Sequence, residues 1–485
     1  MEKITLIQPR HSNAPENGNA PVYLPSSLLT VFSRLQQAGV EVNLDDHNLH
    51  PFTPNHLTDS LNIGINLVGA PYIPVVIQLR QKIEETLGKK INLFLGGQPV
   101  NGLSKDQLHR LFGSQTFNGN NDHILKHQLG IDLRHLPQPE ETSLIPAYEK
   151  LSDEDFKQYM SREFCLYLSQ GCKYGCSFCG AKHTSINPVS GAVTKEKEIY
   201  RNLHIVEEEL NYLVNRARKL GINHFEIYLS NLDLFQTPQK LKQFAQIILK
   251  LKQAHSGHVP GPTLPNHAPG DKDNAFTFRI RGLSTAKAFM DTYRQSKETI
   301  TSMVDAGLWA IGFGVDGVSQ KVWKQIKKGH NRKNECVDAI RLTRREFGIT
   351  PEVFMVVGHA QDTQETMLEG VEFLLDMSEH YQAPPRPYVA KNIIPGNDAW
   401  LDPRNREYVE NLIQHPEYFQ LLDYAALPSP LTHPNPVMRH HIEEAFRMIT
   451  EIPGNTTNLI YPVYSELGRR QAEIRRRLNA GKTDR

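Results

Sequence analysis

The chain has 485 residues, enough for two or three domains. Its 54 Lys and Arg nearly cancel 53 Asp and Glu, for a net charge of +1, so no charge excess points to a nucleic-acid partner, and no apolar run reaches the length of a membrane span. Five cysteines, three of them clustered, do not make a disulfide framework and suggest a reducing, cytoplasmic setting.

The N-terminal part alternates strand and helix. Lys3 to Gln8 reads as a short apolar strand, and MEKITLIQPR lacks a signal-peptide core. Pro25 to Ala38 has helical periodicity and stops at Gly39. Val40 to Leu44 is a second strand, followed by Asp45-Asp46. Ile63 to Val68 is a third, with Gly69-Ala70-Pro71-Tyr72 as its exit. Val75 to Leu87 is a helix closed by Gly88, and Ile91 to Leu95 is a fourth strand ending in Gly96-Gly97. This β-α-β-α order predicts a parallel, doubly wound sheet that binds ligands at the carboxyl ends of its strands. Leu136-Pro-Gln-Pro139 is a stiff break, and mixed helix follows to Arg162.

A second α/β region is predicted from Phe164. Its strands are Phe164 to Ser169, Phe225 to Leu229, Phe276 to Arg281, Trp309 to Val315, Val353 to Val357 and Pro387 to Ile393. Helices are expected over Tyr200 to Leu220, Lys297 to Ala306 and Cys336 to Glu346. Six strands at βα spacing are too few for a full eight-stranded barrel and suit a partial one. The Pro/Gly-rich stretch His258 to Asn274 reads as a loop on the face opposite the active site. The C-terminal region reads as mostly helical, and its Arg475-Arg476-Arg477 as a solvated helix face.

The most specific pattern is Cys172-Lys-Tyr-Gly-Cys176-Ser-Phe178-Cys179, a C-x3-C-x2-C run. Three thiolates on one short loop can hold three irons of a 4Fe–4S cluster. With no fourth cysteine nearby, one iron stays open to bind something else. Two plainer readings compete. Positions 172, 176 and 179 also fit the stripe of a buried helix, although Gly171, Gly175 and Gly180 interrupt it. His183 would complete a Cys3His zinc site. Cys165 and Cys336 read as buried small hydrophobes.

In this motif, and in the order of weaker signals around it, the chain resembles the cobalamin-binding radical S-adenosylmethionine (SAM) enzymes. The weaker signals are Gln8-Pro9, Gly39-Val-Glu-Val, Gly96-Gly97-Gln98-Pro99, Leu136-Pro-Gln-Pro139 and Ser169-Gln-Gly171-Cys172. The resemblance spans residues 1–400. Where the family often has an acidic Gly-Glu-Gly-Glu turn, this chain has Asn118-Gly119-Asn120-Asn121.

The resemblance implies an α/β protein. A Rossmann-like cobalamin-binding domain would occupy 1–135, a linker 136–162, a partial (β/α)6 radical SAM barrel 163–400, and a mostly helical C-terminal region 401–485. It implies three cofactors: a 4Fe–4S cluster on Cys172, Cys176 and Cys179, SAM on its open iron, and cobalamin. SAM is expected against Phe178, Ser230, Asn231, Arg279, Arg281, Asp316, Val357 and Gly358, although a structural ion pair is an equal reading of the two arginines. Cobalamin is expected against Gln8, Pro9, Gly69, Ala70, Pro71, Tyr72, Gly96, Gly97 and Gln98, with no histidine on cobalt. Asp45-x-His47 resembles part of another cobalamin motif but follows the wrong strand.

The implied activity is reductive cleavage of SAM to a 5′-deoxyadenosyl radical, followed by cobalamin-dependent methylation of an unactivated carbon in a small-molecule substrate. The reductant would be a flavodoxin or ferredoxin. Rearrangement or cyclisation without methyl transfer, a vestigial cobalamin domain, and a non-enzymatic metal module are the alternatives. Methylthiotransferases are disfavoured because residues 1–164 contain no cysteine.

Overall fold

The computed structural model describes residues 3–10, 23–53, 57, 61–118, 125–126, 129–132, 134, 136–161, 163–180, 184–186, 193–195, 198–255, 276–423, 426–455 and 474. The expectations on His183, Gly119 to Asn121, His258 to Asn274 and Arg475 to Arg477 lie outside these residues.

Five parallel strands form the N-terminal sheet: Lys3–Gln8, Glu41–Asp46, Asn62–Asn66, Asn92–Gly96 and Thr116–Asn118. Their spatial order is second, first, third, fourth, fifth. The first four match the sequence reading. The fifth is three residues long, too short to show a period. The order reverses between the first and third strands, which places the ligand crevice outside their carboxyl ends. Helix Ser26–Gln37 buries Leu28, Leu29, Phe32 and Leu35. Helix Ile73–Leu87 has Pro74 in its first turn and ends at left-handed Gly88, φ 61°.

The second sheet has six parallel strands: Phe164–Leu166, His224–Leu229, Thr277–Ser284, Leu308–Gly314, Thr350–Val357 and Pro385–Val389, paired in chain order. Two boundaries are corrected. The first strand stops at Leu166, because Ser169–Gln170 leaves the sheet to pair antiparallel with Ile199–Tyr200. The sixth stops at Val389, so Lys391 and Asn392 fall in its exit loop.

Contacts across this sheet show its curvature. Arg281 on the third strand donates from Nη2 to Glu163 at 2.7 Å, just before the first strand, and from Nη1 to Glu352 on the fifth at 3.0 Å. Each contact skips a strand, so the inner side chains converge. Arg386 on the sixth strand joins through Glu352. Beside this charged layer the Phe354 and Tyr388 rings stack at 5.8 Å. A Cβ on Gly312 would lie 2.5 Å from Phe354 Cε2 and 2.6 Å from Leu283 Cδ2. Side chains therefore fill the interior, and a ligand is left the carboxyl ends of the strands.

Both sheet edges are covered. Ser26 Oγ donates to the Cys165 carbonyl at 2.7 Å, and the Thr30 and Tyr167 hydroxyls lie 3.3 Å apart, so the N-terminal helix covers the first-strand edge. Helix Pro436–Glu451 packs on the sixth strand and on helix Gln364–Tyr381. One hydrophobic core runs from Ile4, Leu6 and Phe94 through Phe32, Tyr148 and Phe156 into the six-stranded sheet. A second joins the other face of the N-terminal sheet, at Ile63, Ile65 and Leu93, to Trp400, Leu412 and Phe419. Among the described residues, no helix is long and apolar enough to cross a membrane.

Candidate functional site

The three cysteines lie on an irregular loop after the first strand of the six-stranded sheet, so the buried-helix reading fails. Gly171 turns the chain at φ 97°. The loop is tied down from outside. Lys173 N–H donates to Gln236 Oε1 at 2.6 Å, Ser177 N–H donates to the Ile326 carbonyl at 2.9 Å, and the Tyr174 ring stacks on His330 at 3.9 Å. None of the three is in a disulfide, and all are half-buried. Burial pushes the Cys172 thiol up to about 12, and the neighbouring cysteines add to the rise. Burial pushes Cys176 up to about 11, with Lys328 acting against it. Without a compensating positive charge these thiols stay protonated, and a bound metal would supply that charge. Among the described residues, no three His, Cys, Asp or Glu side chains converge as a site for a single ion. A four-iron cluster asks less convergence, because each thiolate takes a different iron.

Beside Cys176 lies a buried ion pair of Lys328 with Asp316. Burial opposes the lysine's charge, but Asp316 and Cys176 outweigh it and raise its pKa. Asp316 follows the fourth strand with φ 52°, a conformation that Asp tolerates better than most residues. A Cβ on Gly314 would lie 3.1 Å from the Lys328 ammonium.

The exit of the fifth strand reaches the same loop. The N–H groups of Gly358 and His359 donate to Asp362 Oδ2 at 2.9 and 2.8 Å. The His359 ring is 5.1 Å from that of Phe178. Val357 is buried. A Cβ on Gly358, at φ 85°, would lie 2.6 Å from Ile442 Cδ1, so this glycine is also required by packing.

At the second-strand exit, Ser230 N–H donates to the Leu166 carbonyl at 3.0 Å. Asn231 Nδ2 donates to Ser169 Oγ at 2.7 Å and braces the start of the cysteine loop. Asp233 accepts from the Ser284 and Thr285 hydroxyls at 2.8 and 2.9 Å. Burial raises its pKa to about 6 against those two bonds.

Two expected SAM residues are not brought here. Arg281 is held by Glu163 and Glu352. Arg279 is half-exposed near the start of its strand, 4.3 Å from the Trp309 ring centroid and 3.9 Å from Glu226. Arg281 points into the interior as expected, whereas Arg279 is exposed; the contacts of both are those of the ion-pair reading. Lys328, Gln236 and His359 are the residues the sequence did not single out. Each reaches the loop from a different element, and no local pattern marks it.

At the N-terminal sheet, Gln8, Asp46, Asn66 and Gly96 end four neighbouring strands. Asn66 Nδ2 donates to Gln8 Oε1 at 2.9 Å across the point where strand order reverses, with Pro9 next in the chain. Val68 is 53% exposed there, directly before Gly69 and the short 3-10 turn Ala70–Tyr72. A Cβ on Gly96 would meet nothing within 4 Å, whereas one on Gly97 would lie 2.0 Å from the Leu67 carbonyl oxygen. Gln98 opens the short helix Gln98–Asn101. His47 is buried against Asp45, Nε2 to Oδ2 3.1 Å, at the exit of the second strand, which the first strand separates from the one that leads to the Gly69 turn.

The carboxyl ends of the two sheets meet. A Cβ on Gly102 would lie 2.0 Å from the Gly396 nitrogen, and one on Gly180 would lie 3.2 Å from Ile394 Cδ1. The sixth-strand exit Ile394 to Gly396 thus touches both the cysteine loop and the N-terminal sheet's fourth-strand exit. Helix Gln98–Asn101 also contacts strand Thr184–Ile186 beyond the cysteines.

Residues 166–374 match the Radical SAM superfamily. No curated protein sequence matches the chain. Among solved structures it is similar to TsrM, a radical S-adenosylmethionine methyltransferase from Kitasatospora setae with cobalamin and a [4Fe-4S] cluster bound. The TM-score is 0.56 at 14% identity, covering 82% of this chain and 77% of that one. TsrM with tryptophan substrate and the SAM analogue aza-SAM gives 0.55 at 14% identity, covering 80% and 73%. The cobalamin-dependent S-adenosylmethionine radical enzyme OxsB, with aqua-cobalamin and S-adenosylmethionine bound, gives 0.54 at 15% identity. That match covers 86% of this chain and 56% of OxsB. At these identities the likeness is one of fold.

Proposed function

From the match of residues 166–374 to the radical SAM superfamily, we propose that the chain is a cobalamin-dependent methyltransferase acting on an unactivated carbon of a small molecule. Cys172, Cys176 and Cys179 would hold the cluster, while Phe178, Ser230, Asp316, Val357 and Gly358 border the SAM site. Gln8, Pro9, the Gly69–Tyr72 turn and Gly96 to Gln98 would hold cobalamin. When bound, the reduced cluster supplies the electron that splits SAM into methionine and a 5′-deoxyadenosyl radical, and cobalamin carries the methyl group.

The chain's own residues do the rest. The charged and aromatic layers around Arg281 and Phe354 exclude water from behind the reaction space, which protects a radical. The Asp362 carboxylate fixes the Gly358-His359 turn, and the Lys328–Asp316 pair supports the loop from below. Gly96 leaves open space where a cofactor tail can lie against backbone.

The observation that carries this reading is the meeting of the two carboxyl edges at Gly102, Gly180 and Ile394 to Gly396. Transfer between two centres requires near-contact distance. Two parallel sheets whose carboxyl ends touch are compatible with it.

The test is anaerobic purification with cobalamin, then iron, sulfide and corrinoid analysis. Incubation with deuterium-labelled SAM follows. About four irons per chain, bound corrinoid and a labelled methyl group in product support the reading. One zinc without sulfide would sink it. Deoxyadenosine without label transfer indicates rearrangement or cyclisation instead, and a chain that takes up no corrinoid has a vestigial N-terminal domain. For the absence of a histidine ligand, His47→Ala should leave the corrinoid absorption and paramagnetic resonance spectra unchanged. Loss of nitrogen hyperfine coupling on cobalt would make His47 the ligand.

A further inference from the structure

Residues 317–334 contain five lysines and one arginine and no acid, in a chain whose charges sum to +1 overall. Three of these cations are engaged: Lys328 with Asp316, Lys327 with Asp398 at 2.6 Å, and Lys333 with Glu369 at 3.0 Å. Lys321, Lys324 and Arg332 are exposed and have no carboxylate within ion-pair distance among the described residues. Lys173, in the cysteine loop itself, is exposed beside them.

This basic run is attached to the cysteine loop. Ile326 accepts from Ser177 N–H, His330 stacks on Tyr174, and Lys328 lies beside Cys176. Among the described glycines, three have an ordinary φ and nothing within 4 Å of an added Cβ: Gly96, Gly175 and Gly329. Gly96 borders the proposed cobalamin site. The other two lie beside the cysteines, Gly175 half-buried in the loop and Gly329 exposed in the basic run. Neither backbone strain nor crowding requires glycine at either place, whereas close approach by another body would.

We propose that this face docks an acidic one-electron carrier protein of the flavodoxin kind. The inference rests on the reading that the three cysteines hold a redox cluster. One electron leaves the carrier for the oxidised cluster, the carrier is oxidised by one, and no atom is transferred. Positive charge around the entry point steers an acidic partner and orients it. Gly175 and Gly329 let the partner's cofactor edge come near the loop. A single-stranded nucleic acid fits less well, since such sites pair a basic groove with exposed aromatic platforms. Among the described residues, the only aromatic one of the large exposed hydrophobics is Tyr23, on the N-terminal part of the chain.

The test compares the holoenzyme with the triple variant Lys321→Glu, Lys324→Glu, Arg332→Glu. SAM cleavage is driven either by reduced flavodoxin or by dithionite, and binding of oxidised flavodoxin is measured in the same samples. The half-saturating flavodoxin concentration should rise about tenfold at low salt, the wild type's salt sensitivity should flatten, and dithionite-driven cleavage should be unchanged. Unchanged flavodoxin binding, or an equal loss with dithionite, overturns the proposal. So does a variant that loses affinity for a short single-stranded RNA and keeps it for flavodoxin. If the wild type holds no cluster or cleaves no SAM with dithionite, the chemical reading fails, and flavodoxin binding still decides the docking surface.

Discussion

Gln236, and the pair Ile326 and His330 from one later segment, shape the cysteine loop from two places far from it in sequence. The loop therefore has a frame that does not depend on iron. Replacing Cys172, Cys176 and Cys179 together with alanine should abolish cluster binding and SAM cleavage while leaving far-ultraviolet circular dichroism close to wild type. A collapsed spectrum would mean that iron builds the frame. His433 supplies a pH test. Burial lowers its pKa to about 4, while its Nε2 keeps a 3.0 Å contact with the Ala390 carbonyl. With the folded pKa below the unfolded one, stability is full above pH ~6.5 and falls as pH drops toward 4, by up to about 3 kcal/mol. Urea denaturation of His433→Gln should show a shallower acid slope by about one proton, and an unchanged slope would assign the effect to other groups. The cysteines were legible in the sequence because ligand spacing is local. Lys328 and His359 were not, because their roles depend on Asp316 and Phe178, which only the fold brings near.

Strands and their order were largely legible, since each buried strand is an apolar run closed by a turn. What escaped was the covering of edges. Ser26 opens a helix of the N-terminal sheet and donates to the Cys165 carbonyl, which that edge strand would otherwise leave unpaired. Ser26→Ala should cost about 1 kcal/mol and speed amide exchange in Phe164–Leu166. Unaltered exchange would show that packing alone holds the edge. The C-terminal region reads in sequence as one polar helical tail, but its elements separate. Helix Pro436–Glu451 lies on the sixth strand, while Pro416–Leu422 packs behind the Ala70–Tyr72 turn proposed to face cobalamin. Amphipathic periodicity says that a helix must bury a face, not which surface receives it.

At the scale of the molecule, the two sheets share a core and meet at their carboxyl ends. Gly102→Val would drive a side chain into the Gly396 backbone and push the N-terminal sheet's fourth-strand exit away. The expected phenotype is separation of two activities: deoxyadenosine still forms with dithionite, while methyl transfer falls by at least about a hundredfold, the scale of a 1 Å misplacement. Equal loss of both would mean that the contact supports the whole fold instead. The contact has a further consequence for how this architecture can change over generations. Main chain touches main chain there, with no side chain between to trim or enlarge. Ordinary point substitutions can reshape the side chains around this contact, but they have little purchase on the span between the two sheets. A wider or narrower span would take residues inserted or removed in the turns that carry Gly102 and Gly396.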